Sequence, residues 1–175
     1  VFNQSGGTVV GDCFATLFEL GYNPNIGSFN RMPSSISCYV TSDTNNIGAE
    51  IVPVIWKLNE DSLGTKHVLG DELASAFIPT IITAQGLGQW VNFSFDNGPA
   101  IINGLQNGKY GVGFKSTLNN PNGKSLILGR DTLVEKFQVA NSSFVLFGQD
   151  SSWYQVNVTP AIRLNLGNLP IPQAS

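Results

Sequence analysis

The chain has 175 residues, enough for one domain with a sizeable apolar core. Hydrophobic residues make up 42% and charged residues only 12%, about half the usual charged share. A net charge of −3, with nine Lys and Arg scattered along the sequence, leaves no basic stripe for a phosphate backbone, and apolar runs of about five residues are too short to cross a bilayer.

Strand signals recur at intervals of about 10 to 15 residues, separated by clusters of Gly, Asn, Pro, Asp and Ser. The first candidate is 9–20 (VVGDCFATLFEL), where Cys13, Ala15 and Leu17 share one face and Phe14, Thr16 and Phe18 the other. Residues 21–27 (GYNPNIG) are turn formers and read as a surface loop. Strands are expected at 35–42 (SISCYVTS) and 50–58 (EIVPVIWKL), with Pro53 leaving a gap in its ladder that implies an edge or a bulge. Residues 43–48 form a polar connection between them, and 65–69 return as a short strand. Residues 71–77 (DELASAF) have the composition of a helical turn capped by Asp71.

Further strands are expected at 80–83, 89–95, 109–116, 125–129, 143–147, 153–158 and 161–166. In 89–95 (QWVNFSF), Trp90, Asn92 and Ser94 share one face, and Val91, Phe93 and Phe95 share the other, clearly apolar one. Trp56 and Trp90 lie in mid-strand and are assigned to the core. The pattern as a whole predicts an all-β antiparallel sandwich over residues 1–168. Residues 169–175 (LPIPQAS) read as a Pro-containing exit or linker, as expected for part of a longer multidomain chain.

The two cysteines, Cys13 and Cys38, each sit inside an expected strand and not in a metal-type pair. A disulfide and two buried free thiols are both compatible with that placement.

Three stretches carry a resemblance: Gly11-Asp12-Cys13-Phe14, the segment from Trp90 to Phe95 with Gly108 to Tyr110, and the segment from Pro160 to Asn165. Together they resemble accessory β-sandwich domains of secreted Bacteroidetes-type surface proteins exported by the type IX secretion system. The resemblance spans nearly the whole chain and implies a jelly-roll-like sandwich similar to carbohydrate-binding modules, secreted or at the cell surface. Its motifs are core and turn residues, so no ligand residue is carried over from it. Cys13 departs from the pattern, standing where an ordinary core residue is expected.

Catalytic signals are weak. The single histidine, His67, has no sequence motif that pairs it with a nucleophile, and there is no GxSxG elbow, HExxH or phosphate-binding glycine loop. No catalytic residue is therefore assigned. No cofactor is required by the sequence, although the oxygen-rich cluster Asp43, Asn45, Asn46 and Glu50 is a candidate for structural calcium beside its plainer reading as a hydrophilic turn. Sugar binding by a sandwich needs aromatic faces flanked by polar groups. The aromatics least committed to a core pattern are Tyr22, Phe29, Trp153 and Tyr154, and these are the candidate ligand contacts. Asn-x-Ser/Thr triplets at Asn3, Asn92, Asn141 and Asn157 keep a glycosylated eukaryotic or viral surface protein in view.

The reading is thus a non-catalytic secreted or cell-surface module whose partner is a carbohydrate or a surface protein. The alternatives are a structural or assembly domain acting through a protein interface, and a jelly-roll polysaccharide-degrading enzyme. An exposed aromatic platform favours the first, an aromatic-free surface carrying a flat apolar patch the second, and a cleft with two facing carboxylates, or a Tyr beside a Lys or Arg, the third.

Overall fold

A computed structural model describes residues 11–21, 31–60, 67–117, 126–129, 143–147, 152–156 and 160–168. The strands are β1 (Cys13–Leu20), β2 (Arg31–Val40), β3 (Glu50–Glu60), β4 (His67–Ser75), β5 (Thr80–Ile81), β6 (Gln89–Ser94), β7 (Gly108–Ser116), β8 (Ser143–Phe147), β9 (Ser152–Val156) and β10 (Ile162–Asn168), with one short helix, α1 (Pro99–Asn103). They form two antiparallel sheets. The larger runs β4-β3-β7-β1-β8-β9 with β5 also paired to β3, and the smaller runs β10-β2-β6. This is the expected all-β sandwich.

The side-chain pattern of each strand matches its place. β1 and β3 carry apolar residues at successive positions because the large sheet is buried on both faces. Cys13, Ala15, Val52, Val54 and Trp56 form one cluster, while Leu20, Ile51 and Ile55 belong to the other. The strands of the small sheet instead alternate. Ile36, Cys38, Val40 and Phe93 point inward to meet Ile55, Val112 and Phe114 of the large sheet. Phe93 and Phe114 lock the two layers edge to face, with ring centroids 5.1 Å apart.

The gap expected at Pro53 falls where β3 changes partners. Glu50 and Ile51 pair with β5, pairing with β4 begins at Val54, and Pro53 stands opposite Phe114 of β7 on the other side. β3 is therefore interior, and its irregularities lie between Ile55 and Leu58. The helical turn expected at 71–77 is corrected: β4 runs through Ser75, with Ala74 buried and paired to Ile55. Cross-strand pairing outweighs the local capping preference of Asp71. The helix that does form, α1, follows Gly98, whose φ of 112° is a glycine conformation. Any Cβ there would lie 2.5 Å from the carbonyl oxygen of Leu73.

Residues 43–50 act as pins for the fold. The Asp43 carboxylate caps the single 3-10 turn that follows it, accepting from the Asn45 N–H at 2.8 Å. Asn46 is fully buried. Its Nδ2 donates to the Thr41 carbonyl, the Thr41 hydroxyl and the Ile127 carbonyl, and its Oδ1 accepts from the Ile127 N–H at 2.6 Å. These bonds tie residues 126–129 to the end of β2, where Val40 bridges Leu128. Glu50 accepts from the Thr117 hydroxyl at 3.2 Å.

Replacing Asn46 with Ala strands the Ile127 N–H and the Thr41 carbonyl, so Asn46→Ala is expected to cost about 2–4 kcal/mol. Asn45→Ala, which keeps the capped backbone N–H, should stay within about 0.5 kcal/mol. Urea unfolding followed by far-UV circular dichroism measures both.

Candidate functional site

The outward face of the small sheet is assembled from every second residue of three strands. Register places Arg163 of β10, Ser37 of β2 and Asn92 of β6 in one row, and Asn165, Ser35 and Ser94 in the next. In a third row Tyr39 stands opposite Trp90. Rows two residues apart are separated by roughly 7 Å and neighbouring strands by about 4.8 Å. The result is a polar surface with an aromatic corner.

Trp90 is 41% exposed, which overturns its assignment to the core. It shares its side of β6 with Asn92 and Ser94, while Phe93 takes the buried side. Trp56, by contrast, is buried on the far face of the large sheet, as expected. The Tyr39 ring meets Trp90 edge to face at 6.2 Å. Arg163 reaches across β2 to lay its guanidinium carbon 3.9 Å from the centre of the Trp90 ring. Such a stack is worth about 0.5–1 kcal/mol at an exposed site, enough to bias a long side chain toward one position. Tyr39 also needs Gly129 beside it, since a Cβ at 129 would come within 2.5 Å of its ring.

The amides beside this corner are held in a network. Asn165 Nδ2 donates to Ser35 Oγ (3.0 Å), Ser37 Oγ (2.8 Å) and Asn92 Oδ1 (3.2 Å), and Ser37 Oγ donates to the same Asn92 oxygen at 3.0 Å. The Asn92 carbonyl and the Asn165 amino group are thereby committed. Among the described residues, the Asn92 side-chain amino group (Nδ2) and the Asn165 side-chain oxygen (Oδ1) have no partner, so the face offers donors and an acceptor fixed by their own other halves.

The residues singled out by sequence are not among those that build this face. Tyr22 and Phe29 lie outside the described residues, as does the 169–175 segment. Trp153 belongs to β9, and Tyr154, on the same strand, is 44% exposed. β9 ends the large sheet, so Tyr154 is not part of the Trp90 face. The calcium candidates Asp43, Asn46 and Glu50 make the separate local bonds described above, and Asn45 contributes its backbone N–H.

Cys13 and Cys38 are both free and buried, which corrects the disulfide alternative. Cys38 packs between the sheets, whereas Cys13 belongs to the cluster on the other face of the large sheet. Burial pushes the Cys13 thiol up to about 12, against a smaller lowering by Lys115, and burial alone raises Cys38 further.

A concavity of about 440 Å³ lies where α1 and the loop after it meet β7 and β3. Lys57, Leu73, Asn103, Gln106 and Tyr110 line it, and the Tyr110 hydroxyl donates to the Gln106 carbonyl at 2.8 Å. Burial raises the Tyr110 hydroxyl above its ordinary value, the bond to Gln106 opposing it. Comparison of the chain with protein-family models, with curated proteins and with solved structures gave no match.

Both thiols should resist a thiol reagent at pH 7 in the native protein and react fully in 6 M guanidinium, a reagent concentration of about that size sufficing for unfolding. Because their native pKa values are raised, their contribution to stability is complete below the unfolded thiol value of about 8.5 and declines as pH rises above it. Thermal melts between about pH 7 and pH 10.5 should show that loss in the wild type and less of it in Cys38→Ala, each compared with its own neutral value.

Proposed function

We propose that this domain is a non-catalytic, secreted or cell-surface accessory module that binds carbohydrate through the outward face of its small sheet. The observation that carries the proposal is the exposed Trp90, flanked by Tyr39 and Arg163 and bordered by the fixed amides of Asn92 and Asn165. A pyranose has apolar C–H patches and a rim of hydroxyls, and it is matched by an aromatic corner beside paired donors and acceptors. A flat site on paired strands suits a polymer lying along it. The resemblance to type IX-exported surface modules and the low charge content support a setting outside the cell within a longer protein. Glu72, which would be a candidate acid for an enzyme reading, is joined to Lys115 at 2.6 Å.

One observation favours the second reading, an assembly domain. Phe77 and Ile78 are 73% and 78% exposed, and Ile81 follows them closely, giving an apolar patch at the end of β4 and in β5. Patches of this kind mark protein interfaces.

The two readings separate by mutation. In a polysaccharide and glycan binding screen, with and without calcium, Trp90→Ala should weaken binding at least tenfold, about 1.4 kcal/mol. Tyr154→Ala should leave it within twofold, roughly 0.4 kcal/mol. Absence of binding to every glycan, together with self-association abolished by Phe77→Ser and Ile78→Ser, would replace this proposal with the assembly reading.

A further inference from the structure

Resting on that carbohydrate reading, we infer that the ligand is an acidic polysaccharide, recognised at Arg163 through the carboxylate of a uronic acid residue.

The inference comes from the balance of groups on the face. Arg163 is its only charged side chain across the three rows of β10, β2 and β6 described above. The remaining outward positions are Ser, Asn, Tyr and Trp. The nearest acid along the chain, Asp96 beyond the end of β6, accepts from the Phe77 N–H at 2.7 Å. Among the described residues the one ion pair is Lys115 with Glu72, on the other sheet, so Arg163 carries a positive charge that no described carboxylate balances. Beyond its attraction to the indole ring, a guanidinium brings a rigid fork of N–H donors matched to a planar carboxylate.

Geometry supports the same assignment. The stack sets the Arg163 guanidinium carbon 3.9 Å from the centre of the Trp90 ring and so holds the cationic end of the chain at the aromatic corner. Trp90 stands one row from Asn92 along β6, a step of roughly 7 Å. That step is comparable with the reach of a hexuronate from its carboxylate to its far hydroxyls. A carboxylate on Arg163 would therefore bring those hydroxyls toward Asn92 Nδ2 and Asn165 Oδ1, which have no partner among the described residues. One donor and one acceptor side by side suit a vicinal diol, whose hydroxyls can do both.

The test uses polygalacturonate, alginate and hyaluronate, each beside its own carboxyl-reduced form, with dextran sulfate as a polyanion lacking carboxylates, measured by affinity electrophoresis and calorimetry. The expected result is at least tenfold tighter binding of one or more uronate polymers than of its reduced form, with dextran sulfate weaker than the uronate. Arg163→Gln should remove that preference by weakening the uronate alone, Arg163→Lys should retain a part of it, and Trp90→Ala should weaken both forms. Circular dichroism confirms that each variant is folded. Equal binding of the acidic and reduced forms, still lost in Trp90→Ala, would overturn the acidic ligand and leave the carbohydrate reading standing. Dextran sulfate binding as tightly as any uronate would overturn carboxylate recognition in favour of general polyanion attraction. No binding to any of the polymers, reduced forms included, would overturn this inference, and the carbohydrate reading itself would then rest on the wider glycan screen.

Discussion

The small sheet is wet on one side only, and the two-residue period of its strands converts that constraint into a surface. Phe93 and Ile36 must face Phe114 and its neighbours to close the core. Once they do, Asn92, Trp90, Ser37 and Tyr39 have no choice but to face outward. A slip of one residue in β6 would bury Asn92 and expose Phe93, at a cost of several kcal/mol from both changes. The apolar contact between the layers therefore sets the register, and the register places every polar group of the face.

Rigidity follows from the same arrangement. The face is carried on paired strands, and its amides are held by one another before any ligand arrives. For a ligand of the kind proposed above, less side-chain freedom would remain to be lost here than on a loop-borne site. The stacked Arg163 has a further effect. β10 and β6 are the outer strands of the three-stranded sheet, and a charged side chain on such a strand discourages pairing with another chain.

Much of the fold was legible in the sequence. Alternation located the strands around 35–42, 50–58, 89–95, 109–116 and 143–147, and turn residues separated them. The helical turn at 71–77 failed because local composition cannot see that Ala74 has a partner in Ile55, far along the chain. For β1 the pattern is apolar at successive positions because both faces are buried, a fact that belongs to the sheet and not to the strand. The site was less legible. Trp90 was assigned to the core on its mid-strand position, although its strand already held the contrary signal: its face-mates are Asn92 and Ser94, and the opposite face is Val91 and Phe93. Arg163, Tyr39 and Asn165 could not have been joined to it without the order β10-β2-β6, which brings together strands that are distant in the chain.

That order has a kinetic consequence. The central strand of the face, β2, is made early, β6 appears in mid-chain, and β10 comes last of the three. Pairings of such wide sequence separation carry a large loop-closure penalty and form slowly. While a ribosome is still making the stretch that leads to β10, β2 has an open hydrogen-bonding edge and Trp90 has no guanidinium over it. A nascent chain in that state is vulnerable to strand addition from its neighbours. The outward face of the small sheet is thus assembled only once β10, the last made of its three strands, has paired with β2.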